Sequence, residues 1–209
     1  MGAGKKPVLG YVLAGGGSTR FGRDKALVEI DGKSMLLRMC ELLRGLCGEV
    51  RIVVAPDKHA ELGATTLVDR WPGEGPLGGI LTALRATEKS GTNRQWNLIV
   101  GCDMPFLTHE LLNHLIERAV ASRGEVIVPR SASGLEPLCA CWRGSGRKTV
   151  QRAFDSGVRK VTEAMKELKM EIIDESEWKR FDNAGRLFWN MNTAADYDEA
   201  KKLLEAEHA

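Results

Sequence analysis

The chain has 209 residues, of which 43% are hydrophobic and 28% charged, and its formal net charge is +2. That charge is too small to argue for nucleic acid or a membrane surface as a partner, and no apolar run approaches the length of a membrane-spanning helix. The length suits one large domain with a substantial core. The chain is read as a single domain over residues 1–209, with one functional part at about 7–130 and a second at about 131–209.

The first residues, M-G-A-G-K-K-P-V, carry no apolar stretch of the kind a secretion signal needs. Lys6 stands where a myristoylation motif requires Ser or Thr, so the cytoplasm is the expected location. An apolar run at 8–13 then reads as a buried strand. It leads into L-A-G-G-G-S-T-R-F-G-R-D-K, residues 13–25. Gly15, Gly16 and Gly17 let the backbone approach a ligand with no Cβ in the way. Arg20, Arg23 and Lys25 follow in the same loop. Exposed amides plus cations suit a polyphosphate. An ordinary glycine-rich surface turn is the other reading, and the position directly after the first strand favours phosphate.

Two standard phosphate patterns fail on this loop. G-x-x-x-x-G-K-[ST] meets Arg23 and Asp24 at its lysine and hydroxyl positions. G-x-G-x-x-G meets Arg20 where close helix–strand packing needs a third glycine.

Further along, Leu36, Met39, Cys40, Leu43 and Cys47 recur at helical spacing. Residues 51–54, 65–68, 96–101 and 125–129 read as strands. Leu111, Leu112, Leu115, Ile116 and Ala119 form a helical face behind a candidate N-cap at Thr108. This alternation predicts an α/β fold of three layers, helices on both faces of a mainly parallel sheet. Ligands of such sheets sit outside the carboxyl ends of the strands. After Pro137 the pattern becomes irregular: a strand at 138–142, basic helical segments, an apolar run at 170–173, then F-D-N-A-G-R-L-F-W-N-M-N-T. The last helix begins at Thr193, with Asp196 three residues on as in a capping box, and Leu203 and Leu204 are expected to dock it. Cys40, Cys47, Cys102, Cys139 and Cys141 are an odd number without metal spacing and read as small buried thiols.

Three further features bear on chemistry. Asp103 follows the strand W-N-L-I-V-G directly, and Pro105 stops that strand from continuing. A carboxylate held there suits Mg²⁺, which takes one or two carboxylates plus phosphate oxygens and waters. A turn aspartate bonding nearby amides is the alternative. Asp69 opens a glycine- and proline-rich loop, D-R-W-P-G-E-G-P-L-G-G-I. In F-W-N-M-N-T, extended backbone would turn Asn190 and Asn192 to one side and Trp189 and Met191 to the other. The two amides either grip a ligand or organise the start of the final helix.

Taken in order, these segments resemble the molybdenum cofactor guanylyltransferase (MobA) family of nucleotidyltransferases. The resemblance rests on Leu13-Ala14-Gly15-Gly16, Arg20, Gly22 and Asp24-Lys25, on Gly75-Pro76-Leu77-Gly78-Gly79, on Cys102-Asp103 with Pro105, on E-P-L-C-A-C-W-R at 136–143, and on the closing F-W-N-M-N-T. Cytidylyl and sugar-phosphate transferases share variants of the first motif, and the paired asparagines set this family apart. The resemblance implies a Rossmann-like nucleotidyltransferase fold and transfer of GMP from GTP to a molybdopterin-type cofactor. It implies that Leu13, Ala14, Gly15, Gly16, Lys25, Asp69 and Asp103 bind nucleotide, that Arg20 and Lys25 offset phosphate charge, that Asp103 holds Mg²⁺, and that Asn190 and Asn192 serve the acceptor. A monomer is expected, with transient contact to enzymes that receive the cofactor. Some family members carry an Asn that touches guanine where Ala55 stands here. The rival readings are a same-fold transferase for another substrate pair and a non-catalytic nucleotide-binding module. His59, His109, His114 and His208 belong to none of these motifs and read as surface residues.

Overall fold

A computed structural model describes residues 6–15, 28–30, 32–56, 64–89, 96–182 and 184–207. In chain order the elements are β1 (Lys6–Leu13), β2 (Glu29–Ile30), β3 (Lys33–Ser34), α1 (Met35–Arg44), β4 (Cys47–Val54), β5 (Thr65–Val68), α2 (Pro76–Lys89), β6 (Trp96–Gly101) and α3 (His109–Ala121). They continue with β7 (Val126–Ser131), β8 (Gly134–Leu135), β9 (Cys139–Arg143), α4 (Arg147–Asp155), α5 (Val161–Ala164), β10 (Met170–Ile173), α6 (Glu175–Trp178) and α7 (Ala194–Glu207).

The main sheet has the order β10-β7-β9-β6-β1-β4-β5, with β8 attached to β7. The pairs β1 with β4, β1 with β6, β4 with β5 and β7 with β10 are parallel. Strand β9 runs antiparallel to both β6 and β7. The sheet is therefore mainly parallel, as expected, with one reversed strand inside it. The reversal follows from chain length: residues 132–138 are too few for the crossover that parallel neighbours require.

Side chains along β1 alternate between two cores. Val8 and Val12 join α1, α3 and α7 on one face, and Leu9, Tyr11 and Leu13 join α2, α4 and α5 on the other. A sheet covered on both faces needs continuous apolar strands, and every residue of β6 is buried. Gly10 interrupts β1 for a steric reason, because a Cβ there would lie 3.0 Å from Leu43 and 3.1 Å from the Cys47 thiol. The helical spacing extended to Cys47 overshoots, since α1 stops at Arg44 and Cys47 opens β4.

Four of the five cysteines are buried and Cys102 is half-buried. Burial pushes the Cys40 thiol up to about 11 and that of Cys47 to about 12, so they behave as small apolar side chains. Asn97, fully buried in β6, closes a polar chain through the molecule. Arg51 donates to the Tyr11 hydroxyl (3.3 Å), which lies 2.8 Å from the Thr87 hydroxyl. Thr87 donates to Asn97 Oδ1 (2.6 Å), and Asn97 Nδ2 donates to the Trp142 carbonyl (3.0 Å). No helix among the described residues is long and apolar enough to cross a membrane.

Candidate functional site

Six neighbouring ends lie along one edge of the sheet. Strands β1, β4, β5, β6 and β7 all finish there, and the reversed strand β9 begins there. The topology thus lines up Gly15, Ala55, Asp69, Asp103, Ser131 and Glu136.

At the end of β1, Ala14 donates its amide to the Val53 carbonyl (2.9 Å), fixing the direction in which the chain leaves the sheet. Leu13 points into the core, packed where α2 offers Gly79; a Cβ on Gly79 would stand 3.2 Å from the Leu13 side chain. The Leu13 side chain therefore supports the start of the loop from the core. Gly15 is exposed, beside the Ala55 amide. Gly16, Arg20 and Lys25, with Gly17, Arg23 and Asp24, lie outside the described residues.

Asp69 sits at the end of β5 and is 8% exposed. Its amide donates to the Val54 carbonyl (2.7 Å), and its Oδ1 accepts from the Trp71 amide (3.1 Å) and the Thr82 hydroxyl (2.8 Å). Thr82 also accepts from the Arg70 amide (3.1 Å). Asp69 thus pins the loop at 69–75 to α2. Its place in the strand order is three strands from β6, about 14 Å at the usual spacing. A single cation cannot bridge Asp69 and Asp103. The two carboxylates share an edge without converging on one point.

Asp103 occupies the turn after β6. A Cβ on Gly101 would stand 2.7 Å from its Oδ1, so glycine at 101 is what lets this carboxylate fold back over the strand end. The carbonyl of Asp103 accepts from the Met191 amide (2.9 Å). This bond docks the distant N-M-N segment directly onto the strand end. Met191 is buried in the core and Trp189 stacks on Phe106, with ring centroids 5.6 Å apart and planes 9° apart. Asn190 and Asn192 both line a cleft of about 520 Å³, and Trp189 lines it too, so the alternation expected of extended backbone does not separate the asparagines from Trp189. The start of the last helix is organised by other groups: Asp196 Oδ2 accepts from the Asn192 and Thr193 amides (2.7 Å each), and Thr193 Oγ1 accepts from the Asp196 amide (3.2 Å). Thr193 and Asp196 form the capping box, and Asn190 Nδ2 donates to the Phe188 carbonyl (3.1 Å).

The cleft lies between the loop after β7 and the chain at 184–192, and Ser131, Ser133, Asp182 and Arg186 add polar groups to those of the asparagines and Asp196. None of these four stood out in the sequence. Glu136 was missed too. It is 8% exposed, and its amide donates to the Pro129 carbonyl (2.9 Å). Burial raises its pKa above the usual carboxylate range, the Ser131 hydroxyl donating to its Oε1 (2.6 Å) partly offsets this, and the negative charge of Asp103 adds to the rise. A Glu-Pro pair placed just before a short apolar strand was the available signal. His114, read as a surface residue, is half-buried and its Nε2 lies 3.3 Å from Glu177 Oε2; His59 and His208 lie outside the described residues.

The profile of the family described as MobA-like NTP transferase domain matches residues 10–169. A probable molybdenum cofactor guanylyltransferase of Chloroflexus aggregans is 33% identical over 205 residues, covering 94% of this chain and 93% of that protein. The molybdenum cofactor guanylyltransferase of Desulfosudis oleivorans is 28% identical over 201 residues, covering 95% and 96%. Among solved structures, molybdopterin-guanine dinucleotide biosynthesis protein A of Archaeoglobus fulgidus superposes with a TM-score of 0.81 at 26% identity, covering 95% of this chain and 99% of that one. A 2-C-methyl-D-erythritol 4-phosphate cytidylyltransferase of Thermus thermophilus superposes with a TM-score of 0.67 at 15% identity, covering 93% and 98%, a likeness of fold alone.

Proposed function

Because the chain belongs to the MobA-like NTP transferase domain family and is a nucleotidyltransferase, we propose that it transfers GMP from GTP to the terminal phosphate of a molybdopterin-type cofactor. The new bond joins an acceptor phosphate oxygen to the α-phosphorus; the bond from that phosphorus to the β-phosphate oxygen breaks, and pyrophosphate leaves. A phosphate monoester has a second pKa of about 6, so the nucleophile is already ionised near neutral pH. This fits motifs that contain no histidine.

The observation that carries the reading is the Met191-to-Asp103 bond. It sets a strand-end carboxylate, suited to the nucleotide's phosphates, beside the asparagine-lined cleft, suited to a polar acceptor. The named relatives act on this class of substrate. In the proposed division of labour, backbone amides from Ala14 onward and the Asp69-ordered loop take the nucleotide, and Arg20 and Lys25 offset charge on the departing pyrophosphate. Asn190 and Asn192 take the acceptor. Catalysis then rests on positioning and charge neutralisation.

Mg²⁺ fits the donors present. Among the described residues no group of three or more His, Cys, Asp or Glu side chains is arranged to cage a metal, and Mg²⁺ needs only one or two carboxylates when substrate phosphates complete its shell. Asp103 would hold it, and its charge is close enough to Glu136 to raise the pKa of that carboxyl. When bound, the ion would neutralise phosphate charge near the α-phosphorus. Asp103→Ala is expected to abolish turnover with the fold unchanged by circular dichroism. Mg²⁺-dependent turnover surviving in that variant would refute the metal assignment.

A further inference from the structure

The asparagine-lined cleft contains one cationic side chain among the described residues, that of Arg186. Its backbone is fixed on both sides. Asp182 Oδ1 accepts from the Arg186 amide (3.0 Å), and Gly185 before it takes a positive φ of 70°. The Arg186 carbonyl accepts from the Trp189 amide (2.9 Å), and Leu187 is buried in the core. The guanidinium carbon lies 5.7 Å from the centroid of the Phe106 ring, on which Trp189 stacks. A planar cation resting on an aromatic ring keeps its edge donors for other partners. The two carboxylates of the cleft are bonded to backbone amides: Asp182 to those of Ala184 and Arg186, Asp196 to those of Asn192 and Thr193.

We propose that Arg186 binds the terminal phosphate of the acceptor, its guanidinium holding the attacking group on the Asp103 side of the cleft. The proposal rests on the functional reading above. Charge selects the ligand group. A phosphate monoester is largely a dianion near neutral pH, and a guanidinium fork can meet two of its oxygens while the third attacks. Position selects which end of the acceptor lies there. Phe106 follows Asp103 by three residues in the same loop, a separation of at most about 10 Å along the chain. The Met191 amide, bonded to the Asp103 carbonyl, ties the asparagine segment to that same loop. The contact persists while the third oxygen bonds to the α-phosphorus, so Arg186 contributes to acceptor binding more than to the chemical step.

The test measures kcat, KM for molybdopterin and KM for GTP in the unaltered protein, Arg186→Gln and Arg186→Lys, with thermal midpoints in parallel. Molybdopterin freed of its phosphate is added as a competing inhibitor. Arg186→Gln is expected to raise KM for molybdopterin about tenfold or more. Arg186→Lys keeps the charge and loses the fork, so its rise should be smaller. The value of kcat, the KM for GTP and the midpoint should stay close to those of the unaltered protein, and the phosphate-free inhibitor should bind all three proteins equally. An unchanged KM for molybdopterin would overturn the assignment. So would a rise in KM for GTP instead, an equal weakening of the phosphate-free inhibitor, or a large fall in midpoint in both variants, which would mark a packing role against Phe106. Each of these leaves the functional reading standing. An unaltered protein without turnover on GTP and molybdopterin overturns both.

Discussion

Glu136 is the residue whose environment most opposes its charge. Its neutral form is favoured in the folded protein by burial first, and also by the charge of Asp103. The folded state therefore holds the proton more tightly than the unfolded state does. Stability from this group is present at and below the ordinary carboxylate pKa and declines as pH rises through the interval up to the raised folded value. Glu136→Gln keeps an oxygen for the Ser131 hydroxyl and cannot ionise. In the absence of divalent cations, its thermal midpoint should exceed that of the unaltered protein by more at about pH 8 than at about pH 5. An advantage that shrinks with rising pH would contradict the assignment. Asp103 was legible because it closes an apolar run. Glu136 stood in the E-P-L-C-A-C-W-R segment, but its burial was not legible there, because it follows from β9 being reversed between β6 and β7.

At the scale of elements, the polar chain from Tyr11 through Thr87 and Asn97 to the Trp142 carbonyl ties β1, α2, β6 and β9 together across the sheet. Thr87→Val keeps the shape and removes the hydroxyl, breaking its bond to Asn97 Oδ1 in a buried setting. A loss of about 1–3 kcal/mol is expected in urea unfolding. Adding Asn97→Leu should cost less than the sum of the two single changes, because the groups act as one network. Strictly additive costs would argue against the network. Local pattern identified the elements with strong periodicity: the β1, β5 and β6 runs, the Thr108 cap of α3, and the Thr193–Asp196 box of α7. It missed β2 and β3, since two-residue strands carry no period, although the Gly32 turn between them has the positive φ of 68° that a tight hairpin favours.

For the whole molecule, the sheet order turns widely separated motifs into one surface. Parallel strands β5, β4, β1 and β6 deliver Asp69, Ala55, Gly15 and Asp103 to a single edge, and the chain's last third closes over it through the Met191 bond. The sequence motifs named the participants. Their spacing did not reveal that Asp69 and Asp103 stand three strands apart, because strand order is a property of the fold and not of the local chain. The glycine loop remains the feature that suggests phosphate, and in the proposed reading the N-M-N segment docked on Asp103 serves the acceptor. The most direct test is pyrophosphate release by the purified protein with each of GTP, CTP, ATP and UTP plus Mg²⁺, with and without molybdopterin. The account predicts release with GTP only, and only when molybdopterin is present. Release with CTP in place of GTP, or with GTP in the absence of the acceptor, would contradict it.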